Sequence, residues 1–309
     1  MLGVDGARPP AASVDDAWHA AIDGAGRPVV VAGPGVVLEH AVDGLRALAE
    51  RGSLGVLNTW GAKGVFDWRS PHHLATAGLQ ARDFELGGLA ETDLIVATGL
   101  DERELRGRWE LAPTVVVPPS SLSLLADRIT ARQREIVVPP LRAELAAVTQ
   151  RGWVGVEPPL PPTKVTQHYS QVLGDGGLVA ADPGMAGYWV ARTFATQQLG
   201  GAQVTADRHG HGFAVACCTV ARLASPERPV LAVVDAVDEA TALALATAER
   251  LGVAVPLEVW SDDGDALDAP AHLQRLHRLV VDGGRAAIAT DPSQLDEMLA
   301  VAGPIIAWT

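Results

Sequence analysis

The sequence predicts an α/β protein built as two doubly wound, mostly parallel-sheet domains, and three observations carry that reading. The first is a βα unit, RPVVVAGPGVVLEHAVDGLRALAERG. Its apolar run from Pro28 to Ala32 is followed by a Gly-Pro-Gly turn and a helical pattern from Leu38 to Glu50. The second is a strand, helix and strand between Arg228 and Asp265: an unbroken apolar run from Pro229 to Val234, an alanine-rich helix from Glu239 to Leu251, and a second apolar run from Val253 to Trp260. The third is a proline-rich stretch containing Pro158, Pro159, Pro161 and Pro162, which favours a stiff extended connection. It divides the 309 residues into a first domain at 1–150, a linker at 151–165 and a second domain at 166–309.

The remaining elements follow in chain order. Residues 1–12 read as a loose arm, and Ser13 is placed to N-cap a short helix that carries Asp15 and Asp16 in its first turn and ends at Gly24. ETDLIVATGLD at 91–101 and APTVVVPPS at 112–120 supply further strands, and the first domain runs to about Pro139. After a helix that begins near Leu141 and the linker, VTQHYSQVL is a helix, GLVAADPG a strand and turn, and MAGYWVARTF a helix. HGHGFAVACCTVARLA reads as a loop leading into another helix. A helix from Pro292 to Val301 and a strand from Pro304 to Trp308 close the chain.

Composition narrows the function classes. With 48% hydrophobic and 20% charged residues, most of the length can build a core, which argues against disorder. A formal charge of −13 is the wrong sign for binding nucleic acid or an anionic membrane surface. The two cysteines, Cys217 and Cys218, are adjacent, so they form no disulfide framework, and a reducing cytoplasm is the expected compartment. No charged start followed by an apolar core opens the chain, and no apolar run is long enough to span a bilayer.

Acid ends both strands of the second unit. Asp235 closes the first and Asp262 with Asp263 closes the second, so a parallel sheet would deliver all three to one crevice, where carboxylates suit a hard divalent cation. In the first domain, Gly33 and Gly35 allow a tight turn with close backbone approach, which makes them candidates for an adenine nucleotide, with Thr98 and Gly99 nearby. The competing reading there is a plain βα turn. Lys63 reads as a solvated lysine in a surface turn that could meet a phosphate. His209 and His211 read as ordinary loop residues, and His72 and His73 have no catalytic partner in the sequence.

At these residues the chain resembles the thiamine-diphosphate-dependent enzymes of the acetolactate synthase, benzoylformate decarboxylase and pyruvate oxidase type. That family carries Gly-Asp-Gly at a strand end and an Asn or Asn-Asn one helix and one strand later. Here the Asp stands as Asp235, its neighbours are Val234 and Ala236, and the Asn positions read Asp262 and Asp263. The segment with Thr59, Lys63, Gly64 and Gly78 resembles the family's middle domain. Asp182, Gly184 and Trp189, then Gly210, Gly212 and Phe213, resemble the start of its diphosphate domain.

The resemblance implies a middle domain with a six-stranded sheet, followed by a diphosphate-binding-like domain. Within the second domain it points to Asp182, Gly184, His211, Gly212, Asp235 and Ala236 around a cofactor, and to Asp235, Asp262 and Asp263 around Mg²⁺. No residue is assigned a catalytic role. The family's pyrimidine domain, which supplies the activating glutamate, has no counterpart in these residues. Two expectations follow. One is a protein without independent thiamine catalysis that serves as a binding or assembly partner. The other is one subunit of a split 2-oxoacid decarboxylase or synthase, taking thiamine diphosphate and Mg²⁺ with a pyrimidine-domain partner. A face left uncovered by the missing domain would make the chain a homodimer or heteromer, through the helix His211 to Leu223 and the segment around Tyr188 and Trp189.

Overall fold

Two five-stranded parallel sheets, each flanked by helices, organise the computed structural model, which describes residues 16–309. The expected arm and the Ser13 cap lie outside the described residues. The first domain runs α1 (Asp16–Gly24), β1 (Pro28–Ala32), α2 (Gly35–Leu38), α3 (Val42–Gly52), β2 (Gly55–Thr59), β3 (His73–Ala77), α4 (Asp83–Leu86), β4 (Leu94–Thr98), β5 (Thr114–Val116) and α5 (Leu122–Arg128). Then α6 (Pro140–Trp153) leads through the linker to α7 (Pro162–Leu173), β6 (Leu178–Ala181), α8 (Met185–Thr193), β7 (Ala202–Val204), α9 (Phe213–Ala224), β8 (Val230–Val234), α10 (Glu239–Arg250), β9 (Leu257–Asp265), α11 (Ala269–Asp282), β10 (Arg285–Ile288) and α12 (Ser293–Ala302).

The strand orders are β3-β2-β1-β4-β5 and β10-β9-β8-β6-β7. The chain winds outward in one direction and then returns to the other side of the starting strand, so the order reverses between β1 and β4 and again between β6 and β8. Crevices at such reversals are where open α/β sheets hold ligands. The central strands β1, β2, β4, β6 and β8 are buried on both faces almost throughout, as their Val, Leu, Ile and Ala content requires of a sheet covered on two sides.

Several expectations are corrected. The first sheet has five strands among the described residues, not six. After β5 the chain turns into α5, and residues 130–139 then run without a ladder, leaving Val137 and Val138 exposed before Pro139 and Pro140 start α6. The expected helix at 38–50 is two helices, broken where His40 takes a left-handed backbone with φ 56°. The strand expected at 253–260 lies instead at Leu257–Asp265, because the pairing of β9 with β10 jumps from Val259 to Asp265 and residues 260–264 bulge out between them. The final strand is a single antiparallel bridge between Ile305 and Gln80.

That bridge is one part of a broad contact between the domains. The C-terminal tail returns to the first domain through backbone bonds from Ala81 to Pro304 and from Ile306 to Leu79. From the second domain, α8 sends Arg192 to Asp83 and Tyr188 to Gln80. Tyr188 and Trp189 are therefore buried, at 0% and 2% exposure, within this chain and do not form an open docking face.

Candidate functional site

The crevice between β6 and β8 gathers most of the sequence-predicted residues. Asp182 follows β6 and Asp235 follows β8, so the parallel register brings both carboxylates to the same sheet edge. Each carboxylate is held by the backbone of the helix beside it. Asp182 accepts from the Gly212 and Ala214 N–H groups, both at 2.7 Å, at the start of α9. Asp235 accepts from the Met185 N–H at 2.6 Å and the Ala186 N–H at 2.8 Å, at the start of α8. A carboxylate there meets the orphan N–H groups and the positive end of the helix dipole.

Gly184 shows how tightly this is built. Its φ is 134°, and a Cβ on it would lie 2.1 Å from Asp235 Oδ2. Burial pushes both carboxyls up from the ordinary aspartate range, and their backbone hydrogen bonds offset this in part. His211 sits on the surface with Nδ1 3.2 Å from Asp238 Oδ2, while Asp238 Oδ1 caps α10 through the Thr241 N–H at 2.8 Å. Ala236 is exposed beside the turn.

The three expected metal ligands are not gathered. Asp262 and Asp263 are exposed on the β9 bulge, while Asp235 is turned onto α8. Among the described residues no group of three or more His, Cys, Asp or Glu side chains is placed to hold a metal. Asp235, Asp262 and Asp263 nevertheless line one cavity of about 510 Å³, walled by Trp189 and Trp260. A second cavity, of about 410 Å³, lies on the other side of Met185 and Asp235, toward Arg208 and Trp308.

This arrangement does not fit a magnesium-bound diphosphate. The Met185 and Ala186 N–H groups at the start of α8, which could otherwise cradle phosphate oxygens, already hold Asp235.

In the first domain, Gly33 and Gly35 meet the β4 turn. The Gly33 N–H donates to Thr98 O at 2.9 Å and the Gly35 N–H to Gly99 O at 2.8 Å. A Cβ on either would fall within 2.7 Å of Gly99 backbone atoms. The glycines thus serve the close approach of two turns, and those two N–H groups are not presented to a phosphate. The helix that follows, α2, is only four residues long.

Two buried polar groups are not placed in the interior by the sequence reading. Glu258 stands inside the apolar LEVW run and is 0% exposed. It accepts from Tyr169 Oη at 2.6 Å, with His272 Nε2 3.2 Å and Arg275 Nη2 3.3 Å away, and Trp260 Nε1 donates to Tyr169 Oη at 2.7 Å. Burial raises the Glu258 carboxyl, but these partners outweigh it and hold it below the ordinary range. The acid in a doubly buried strand was the signal available. Lys63, expected in solvent, is 8% exposed, and burial followed by the charge of Arg192 lowers its amine to about 7.

Residues 16–119 match the family model described as thiamine pyrophosphate enzyme, central domain. Over those residues the first domain is similar to that central-domain model. The fold of the whole chain is similar to a solved structure from Mycobacterium smegmatis described as a "putative thiamin diphosphate-dependent enzyme". The TM-score is 0.70 at 15% identity over 89% of this chain, and the chain spans 63% of that protein's length. Comparison with curated proteins finds no match.

Proposed function

We propose that the chain is a thiamine-enzyme-like protein without independent thiamine catalysis, acting as a binding or assembly partner. The observation that carries this reading is the engagement of both Asp235 oxygens with the α8 N-terminus, at 2.6 and 2.8 Å. The carboxylate stands in for the anion that such a helix end would otherwise attract, and it is withdrawn from a metal. Assembly is supported by exposed apolar side chains on neighbouring helices: Val220 and Leu223 on α9, and Leu243 on α10.

Thermal unfolding with excess thiamine diphosphate and Mg²⁺ tests the reading. Binding at a hundred times the dissociation constant would add about 2.7 kcal/mol, a shift of several degrees. The expected shift is nil, and a clear rise in midpoint would overturn the proposal.

The cavity of about 510 Å³ beside Asp235 supports a second reading, a subunit of a split 2-oxoacid decarboxylase or synthase. In that reading a pyrimidine-domain partner closes the cavity, and Asp235 leaves α8 to join Asp262 or Asp263 around Mg²⁺. Decarboxylation of a 2-oxoacid on mixing this chain with a pyrimidine-domain chain would establish it, and no turnover with a partner that binds would end it.

A further inference from the structure

A separate cavity, of about 180 Å³, lies between the domains, away from Asp235. It is lined by the start of β3, by α6 and by the end of α8. Its electrostatics run against those of the molecule. The chain carries a formal charge of −13, yet the cavity lining includes Lys63, Arg142 and Arg192 and neither Asp nor Glu.

The three cations are not equally free. Arg192 is neutralised from behind by Asp83, 2.7 Å away. Arg142 spends its guanidinium on the carbonyl oxygens of Trp68, Ser70 and His73, which leaves its charge without a carboxylate. Lys63 is more than nine-tenths buried, and its amine has neither a hydrogen-bond partner nor a carboxylate counter-charge among the described residues. Trp153 lines the same cavity, and its indole N–H is buried without a partner. A lysine side chain this buried without a counter-charge is costly, and an anionic acceptor in the cavity would offset that cost.

The walls describe the rest of the ligand. Trp68 and Trp153 stand edge to face with centroids 6.1 Å apart, and Leu145 and Phe194 line the same space. We propose that this cavity binds a small monocarboxylate with an aromatic or branched apolar body, its carboxylate on Lys63 and its body against Trp68, Trp153 and Phe194. An inorganic anion would satisfy the donors but leave the apolar walls uncovered.

Binding has a proton signature. Burial and Arg192 hold the Lys63 amine at about 7, and Arg142 and a neutral His73 are the other titratable groups facing it. A bound carboxylate favours the ammonium, so at about pH 8 the ligand enters together with a proton.

Isothermal titration at that pH, in two buffers of different ionisation enthalpy, decides the matter with benzoate, phenylacetate and isovalerate as probes. Saturable binding of at least one of them is expected, with proton uptake, and none for benzamide. Lys63→Met should abolish the uptake and weaken binding by about tenfold or more, as loss of a hydrogen bond to a charged group does. Trp153→Phe, which keeps the wall and removes the N–H, should weaken binding while leaving the proton uptake in place. Three results would each overturn the proposal: no heat with any of the three carboxylates, equal binding of benzamide, or unchanged affinity and uptake in a folded Lys63→Met variant. Binding of inorganic phosphate in preference to the carboxylates would also overturn it.

Discussion

Arg192 Nη2 lies 2.7 Å from each carboxylate oxygen of Asp83, and the two side chains, one from each domain, are 1% and 0% exposed. Asp83 also accepts from the Leu79 and Gln80 N–H groups at 2.8 and 3.0 Å, while Arg192 reaches Thr76 O at 2.8 Å. The pair therefore fixes α8 to the β3–α4 turn in one geometry. Removing one partner leaves the other charged and buried, which costs about 3–5 kcal/mol. Asp83→Ala and Arg192→Met should each lower the unfolding free energy by that order, measured by urea denaturation. The double variant should lose less than the sum of the two.

The proton balance of two buried groups gives opposite slopes in separate windows. The Lys63 amine falls from 10.5 to about 7 on folding, through burial and then Arg192. The folded chain binds fewer protons there than the unfolded one from pH 7 to 10.5, so this group's contribution rises with pH across that window and is lost as pH falls through 7. Glu104 is raised from 4.5 to about 7 by burial, against its bond from the Gly61 N–H at 3.0 Å. Its contribution is complete below 4.5 and is lost as pH rises through 7. Subtracting the stability profiles of Lys63→Met and Glu104→Gln from the parent isolates each slope. A flat difference for either variant would mean the group is solvated.

Much of the architecture was legible because strand burial is a local property. Runs such as PVVVA and VLAVV announce doubly covered strands, and the prolines at 158–162 mark the passage between domains. What stayed hidden depends on distance or on backbone choice. The break between α2 and α3 falls at His40, with no glycine or proline to mark it. The end of α11 and the whole of β10 sit in a stretch, LVVDGGRAAI, whose periodicity decides little. Arg192 and Asp83 are 109 residues apart, and no window along the chain relates them. At the candidate site, the placing of Asp182 and Asp235 at strand ends could be read. That Asp235 turns onto the α8 backbone could not, since it depends on the close approach of Gly184.

Gly184 and Asp235 make a matched pair of variants. Gly184→Ala places a Cβ on the Asp235 carboxylate at a φ that side chains rarely adopt, so it should displace that carboxylate and destabilise the fold. Asp235→Ala removes the acceptor from two α8 N–H groups, which by analogy with loss of an N-cap costs about 0.5–2 kcal/mol. The informative result is the order of the two in thermal unfolding: Gly184→Ala should be the less stable. Equal midpoints would mean that the glycine is not needed for the close approach.

The proposed assembly places its contact on α9 and α10. Val220 and Leu223 are 65% and 54% exposed on α9, with exposed Ala216 one turn before Val220, so the three form a stripe along one side of the helix. Leu243 on the adjoining α10 is 67% exposed. Twofold pairing is the commonest way to cover such a surface, and it would bring each stripe against its own copy. Light scattering should then give about twice 32.2 kDa at micromolar concentration. Val220→Glu with Leu243→Glu should return the mass to that of one chain without lowering the unfolding midpoint of the monomer, since both side chains already face outward. A single-chain mass for the parent, with no partner added, would reject the homodimer. A parent dimer that persists in the double variant would move the interface elsewhere.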